Sequence, residues 1–152
     1  MLSSTIGYYT LGVVCSVLYI YYIRRINNSL KTEFLNFAIG LIIAALIYVC
    51  FALWHQKSEW YFLEWSGVIL YGALAYLGFK YSAWFLVLGW STHILWDVIL
   101  HMNEKALFVP HWYPPVCLIF DLILAIYIGY NLLKTRPKAT QLNTRDQTST
   151  DL

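Results

Sequence analysis

Apolar residues in this chain fall into five long runs separated by short polar breaks, at about 6–23, 34–54, 60–79, 81–100 and 115–133. Each run comes near the roughly 20 helical residues needed to cross a hydrocarbon core. Runs of this length without turn punctuation form helices rather than strands. A membrane barrel would show alternation over about ten residues, and none of the five alternates. The pattern predicts an all-α integral membrane bundle of five transmembrane helices within residues 1–133. Beyond Leu133 the chain turns to Thr, Gln, Asn, Asp and Lys with no apolar period, so 134–152 reads as a disordered cytoplasmic tail.

Composition strengthens this picture. Of 152 residues, 60% are hydrophobic and only 12% charged, with a mean hydropathy of +0.58. A soluble domain carries about 25% charged residues. The balance excludes a disordered chain, a nucleic-acid binder built on a basic face and a disulfide-stapled secreted module. The bilayer is the implied partner, together with a membrane-protein partner or a second copy of the chain. The first run has no basic residue before it and no small-x-small cleavage pattern before Arg24-Arg25, so it reads as a retained helix rather than a signal peptide.

Positive charge orients the bundle. Arg24, Arg25, Lys31, Lys80, Lys134, Arg136, Lys138 and Arg145 make eight of the ten Lys and Arg, and all fall on one side of a five-span topology. Lys57 and Lys105 fall on the other. By the positive-inside rule the N-terminus lies outside and the C-terminus inside. Trp54, Trp60 and Trp112 then sit at the outer ends of spans, where an aromatic belt belongs.

Ionisable residues inside the spans carry the candidate chemistry. Each costs a few kcal/mol at membrane depth, so such groups face the bundle interior and mark sites. Counted by helical rise from the outer ends of the runs, Glu64 lies about 6 Å in, Asp97 about 5–6 Å, Asp121 about 9 Å and His93 about 10–12 Å. Three spans thus contribute to one polar layer in the outer half of the bilayer. His93, Asp97 and His101 recur at i, i+4 and i+8 on one helical stripe, and Cys117 and Asp121 at i and i+4 on the next span. Between them, Pro110, Pro114 and Pro115 restrict the connection and can hold His111 and Trp112 over the site.

His93, Asp97, His101, His111 and Asp121 form a mixed imidazole and carboxylate set suited to zinc or, with more carboxylates, to iron or manganese. Glu64 or Asp97 would act as the catalytic base beside such an ion. The competing reading makes these residues hydrogen-bonded partners that orient helices or specify a protein partner. In that reading Glu64 simply snorkels to the interface. A proton or ion relay is the least supported, because the inner halves of the spans are apolar apart from Lys80. Cys15, Cys50 and Cys117 fit the ordinary state of small buried thiols, with a Cys50–Cys117 disulfide as the alternative.

Gly89-Trp90, His93, Leu95-Trp96-Asp97, His101, Val109-Pro110, Trp112-Tyr113, Cys117 and Asp121 together resemble an uncharacterised family of small bacterial multi-pass membrane proteins, a domain of unknown function. The resemblance spans residues 89–128. It implies that these residues belong together and places the chain in a bacterial inner or plasma membrane, but it brings no activity. The gathering of His and Asp from several helices is also similar to membrane-embedded lipid hydrolases of the ceramidase type. This chain has fewer spans and lacks their Ser/His/Asp/His-x-x-x-His order, so their activity does not carry over. The expectation from sequence is a metal site open to the outer side, serving a metal-dependent enzyme of lipid or another apolar substrate.

Overall fold

The computed structural model describes the backbone of residues 2–27, 29–101 and 108–149, and side chains for 5–27, 29–100 and 108–134. Five helices form it: α1 (Leu2–Ile26), α2 (Leu30–Trp54), α3 (Ser58–Lys80), α4 (Trp84–Trp96) continued by a π-helical turn (Asp97–His101), and α5 (Tyr113–Ser149). There is no strand among the described residues. Thr5–Ile26, Leu30–Trp54, Ser58–Lys80 and Tyr113–Lys134 are long and apolar enough to cross a membrane, whereas the apolar stretch Trp84–Leu100 is shorter.

Local chemistry sets the breaks. Ser29 caps α2 by accepting from the Thr32 amide at 3.3 Å. The fourth helix begins later than the apolar run, because the amides of Tyr81 and Ser82 both turn back to the Leu77 carbonyl and close α3. At the other boundary, α5 runs as helix through Ser149, across the stretch whose composition suggests no regular structure.

The distribution of side chains is inverted relative to a soluble domain. Glu64, His93, Asp97 and Asp121 are buried at 1% exposure or less, while Phe62 is 88%, Ile69 72% and Ile126 62% exposed. Large apolar side chains also cover the outside of α1, among them Leu11, Val14, Val17 and Leu18. An apolar exterior this extensive belongs in lipid. In lipid the hydrophobic effect does not pull helices together, so packing relies on small residues and interior polar contacts. Gly12 shows this: a Cβ there would stand 2.7 Å from the Val116 carbonyl oxygen, so only glycine lets α1 seat against α5.

The order of packing differs from the order of the chain. α2 lies along α3, α4 lies between α3 and α5, and α1 crosses to pack along α5. α1 touches its neighbour α2 mainly near their junction, where the Tyr19 hydroxyl donates to the Asn36 carbonyl at 3.0 Å and Asn36 donates to Asn27 at 3.1 Å. That end also gathers Lys31 over the Phe79 ring and the Tyr127 hydroxyl, which donates to Glu33 at 2.6 Å. All three cysteines are free; Cys50 faces outward and Cys117 inward, so the disulfide alternative is overturned.

Candidate metal centre

Each helix that meets at the centre presents one buried stripe. On α3 it is Glu64, Gly67, Tyr71, Ala75 and Gly78; on α4 it is Leu86, Gly89, Trp90 and His93, prolonged by Asp97. On α5, Cys117, Asp121, Leu124, Ala125 and Ile128 face in. These i, i+3, i+4 spacings put polar and apolar members on the same face, so the helical repeat that builds the core also delivers the acids to it. Close packing holds them there. Gly89 abuts the Leu41 side chain, and a Cβ at Gly67 would stand 2.9 Å from the Trp96 ring.

Where the stripes converge, His93 Nδ1 lies 2.8 Å from Asp121 Oδ2 and 3.7 Å from Asp97 Oδ1. One potential ligand atom from each of the three residues lies within 4.8 Å of the others. Two acids therefore converge on one ring nitrogen. A single N–H can satisfy one of them, and the short distance assigns it to Asp121. Asp121 Oδ1, both oxygens of Asp97 and Nε2 of His93 are buried with no hydrogen bond of acceptable geometry in the protein. The Tyr48 phenol stands close enough to Asp97 to interact with its carboxylate. Most buried polar groups in proteins have partners, so a cluster of this kind needs an explanation.

Aromatic rings wall the cluster. The Tyr71 ring meets His93 edge-on at 4.7 Å between centroids, and the Tyr71 hydroxyl donates to the Thr92 carbonyl at 3.1 Å, which fixes the ring. Tyr48 approaches His93 at 6.0 Å. Sequence reasoning passed over both tyrosines, although Tyr48 lies on the buried stripe of α2 with Leu41, Ala45 and Ala52. The π-turn begins at Asp97, whose amide is shared between the His93 and Ile94 carbonyls. Insertions of this type recur at functional sites because they re-aim the residues that follow.

Of the residues expected at the site, the structure brings together His93, Asp97 and Asp121. Glu64 is adjacent: it is buried at 1% exposure and acts electrostatically on both His93 and Asp97, but lies outside the three-residue group. It does not snorkel, because its stripe on α3 faces the bundle. His111 is exposed and lies outside the three-residue group. The side chain of His101, at the end of the π-turn, lies outside the described residues.

A cavity of about 260 Å³ adjoins the centre, with Asp121 in its lining. It is otherwise walled mainly by apolar side chains of α2, α4 and α5, with Tyr19 from α1.

Searches against curated proteins and solved structures find no match. The profile of a family of unknown function (DUF6010) matches residues 8–134, which takes in most of α1, all of α2 to α4, α5 as far as Lys134 and every residue of the centre. The protein is therefore a member of the family of unknown function DUF6010.

Proposed function

We propose that His93, Asp97 and Asp121 hold one divalent cation inside a membrane-spanning bundle. The observation that carries this reading is the convergence of two buried carboxylates on one imidazole nitrogen, which can donate to only one of them. Charge supports it. Two carboxylates and a neutral imidazole sum to −2, which a divalent cation cancels, whereas an uncompensated charge at this depth is expensive. One nitrogen and two oxygens suit zinc, iron or manganese. Held by these three side chains, a divalent cation would supply the activation of a water to near-neutral pKa. Glu64, an acid beside the ligands but not among them, is then placed to accept a proton. This reading makes the protein a metal-dependent hydrolase of a lipid or other apolar substrate.

The distribution of basic residues supports an orientation with the N-terminus outside and five crossings. Arg24, Arg25, Lys31 and Lys80 lie in terminal turns of α1, α2 and α3 on one side, Lys134 ends the apolar stretch of α5, and the cluster lies nearer the other side. Asp121 stands about 12 Å of helix rise from Tyr113 and about 20 Å from Lys134. The centre would thus lie in the outer half of the bilayer.

The 2.8 Å His93–Asp121 contact favours a second reading, in which a metal-free polar network fixes the pairing of α4 and α5 in a non-catalytic membrane subunit. Titration calorimetry of chelator-stripped protein with Zn²⁺, Mn²⁺ and Fe²⁺ separates the two. The metal centre predicts saturation at about one ion per chain, because three ligands converge on one point. Absence of saturable heat with all three ions would leave the network reading standing.

A further inference from the structure

The cavity beside the centre lies in the cleft where α1 parts from α2. Gly12 seats α1 on the α5 backbone, and contact between α1 and α2 is concentrated near Tyr19, Asn27 and Asn36. Ile43 of α2 is 52% exposed at the cleft and also lines the cavity, so the space communicates with the outside of the bundle through a side rather than an end. In a membrane-spanning chain that side faces hydrocarbon. Gly40, Ile43, Ala44 and Ile47 line the cavity along about 10 Å of helix rise on α2, and Val116 and Phe120 of α5 complete an apolar wall. The carboxylate in the lining is Asp121, which is 1% exposed. Its Oδ2 is taken by His93, and its Oδ1 has no partner.

We propose that this cleft admits the hydrocarbon chain of a membrane lipid laterally from the bilayer, and that a hydroxyl or amide on the lipid donates to the open oxygen of Asp121. Two observations point to this occupant. An apolar recess reached from the lipid side fills with alkyl chain rather than with a water-soluble ligand. Asp121 Oδ1 is a buried acceptor with two lone pairs, so it can take a donor from what enters even where an ion claims the other pair. The arrangement follows the general pattern of ligand sites, mostly apolar with a small number of polar groups that fix orientation. As a substrate class this inference rests on the metal-centre reading; as a binding site it can be tested apart from it.

The probe is a long-chain primary alcohol with a photoreactive diazirine at its methyl end, added to the full chain in nanodiscs. Its methyl ether, which has the same chain and no donor, serves as comparison. Saturable labelling is expected within residues 40–47 of α2 and 113–121 of α5, competed by unlabelled alcohol. The ether should label about tenfold less at equal concentration, the value of one hydrogen bond to a charged acceptor. Ala44→Phe, which fills the recess, and Ile43→Trp, which blocks its mouth, should each abolish saturable labelling. Ala73→Phe, on an exposed face of α3, should leave it intact.

Metal content is measured on the same samples. Saturable labelling in protein that holds no metal would support the cleft and overturn the metal centre. Non-saturable labelling spread over all lipid-facing surfaces would overturn the cleft, as would equal labelling by alcohol and ether or labelling unchanged in both blocking variants. Retained metal in such samples would leave the metal centre unaffected.

Discussion

Two buried acids at opposite ends of this bundle have been treated very differently by the fold. Glu33, at the end where the basic residues gather, accepts a hydrogen bond from the Tyr127 hydroxyl at 2.6 Å, and Arg24 is close enough to act on that hydroxyl. Asp97, toward the other end, is fully buried, faces a second acid across one imidazole and has only the Tyr48 phenol near enough to interact with its carboxylate. Each is a carboxylate within a membrane-spanning bundle. One has a fixed donor in the Tyr127 hydroxyl, so its burial is accounted for by the chain itself. The other needs something more, a proton or a cation, before its burial is explained. A buried acid therefore does not by itself mark a site; its unmatched partners do.

This contrast breaks most visibly at the first ligands. Asp97→Asn and Asp121→Asn each remove a charge that binds the ion, and should weaken metal affinity by more than the roughly 10–100-fold typical of residues outside the ligand set. Competition with a chromophoric chelator would measure it. Affinity unchanged in both variants would make Asp97 no different in kind from Glu33. Glu64→Gln sharpens the boundary of the centre. It should retain one ion per chain, with affinity lowered about tenfold at most, because Glu64 acts on the cluster without belonging to it.

Effects on stability come next. Gly89→Val forces atoms into the Leu41 side chain and should cost about 1–3 kcal/mol by overpacking, read as a lower unfolding temperature in detergent. Tyr127→Phe removes the donor to Glu33 and should cost about 1 kcal/mol while leaving metal binding untouched. A Tyr127→Phe protein that lost metal would mean that the two ends are coupled and the comparison fails. Orientation has its own check: a reporter fused after Leu133 should behave as cytoplasmic, and activity confined to the outer side would reverse the placement of both ends.

Much of the architecture was legible because lipid imposes simple rules. Long apolar runs must be helical, and an acid within a run must face inward, so His93, Asp97 and Asp121 were visible as one polar layer before any packing was known. What spacing does not carry is how the helices lie against one another. The connection between α1 and α2 is short, which suggests neighbours, yet Gly12 and the Val116 backbone draw α1 onto α5 and open the cleft. The prolines around His111 restrict its backbone but do not carry its side chain into the buried group, and His111 is exposed. The simple i+8 step to His101 assumed an unbroken α-helix, and the π-turn from Asp97 alters that register. Tyr48 and Tyr71 went unnoticed because aromatic residues are abundant throughout the chain and only packing distinguishes those that touch His93.

The central claim is that His93, the residue on which both acids converge, is a ligand and not a packing element. Wild type and His93→Ala, purified in parallel from the same medium without chelator, should differ in metal-to-protein ratio by elemental analysis. The account predicts about one zinc, iron or manganese per wild-type chain and essentially none in the variant, with both proteins inserted equally in the membrane, since insertion depends on the apolarity of the helices. Ratios near zero in both, or equal ratios in both, would contradict it.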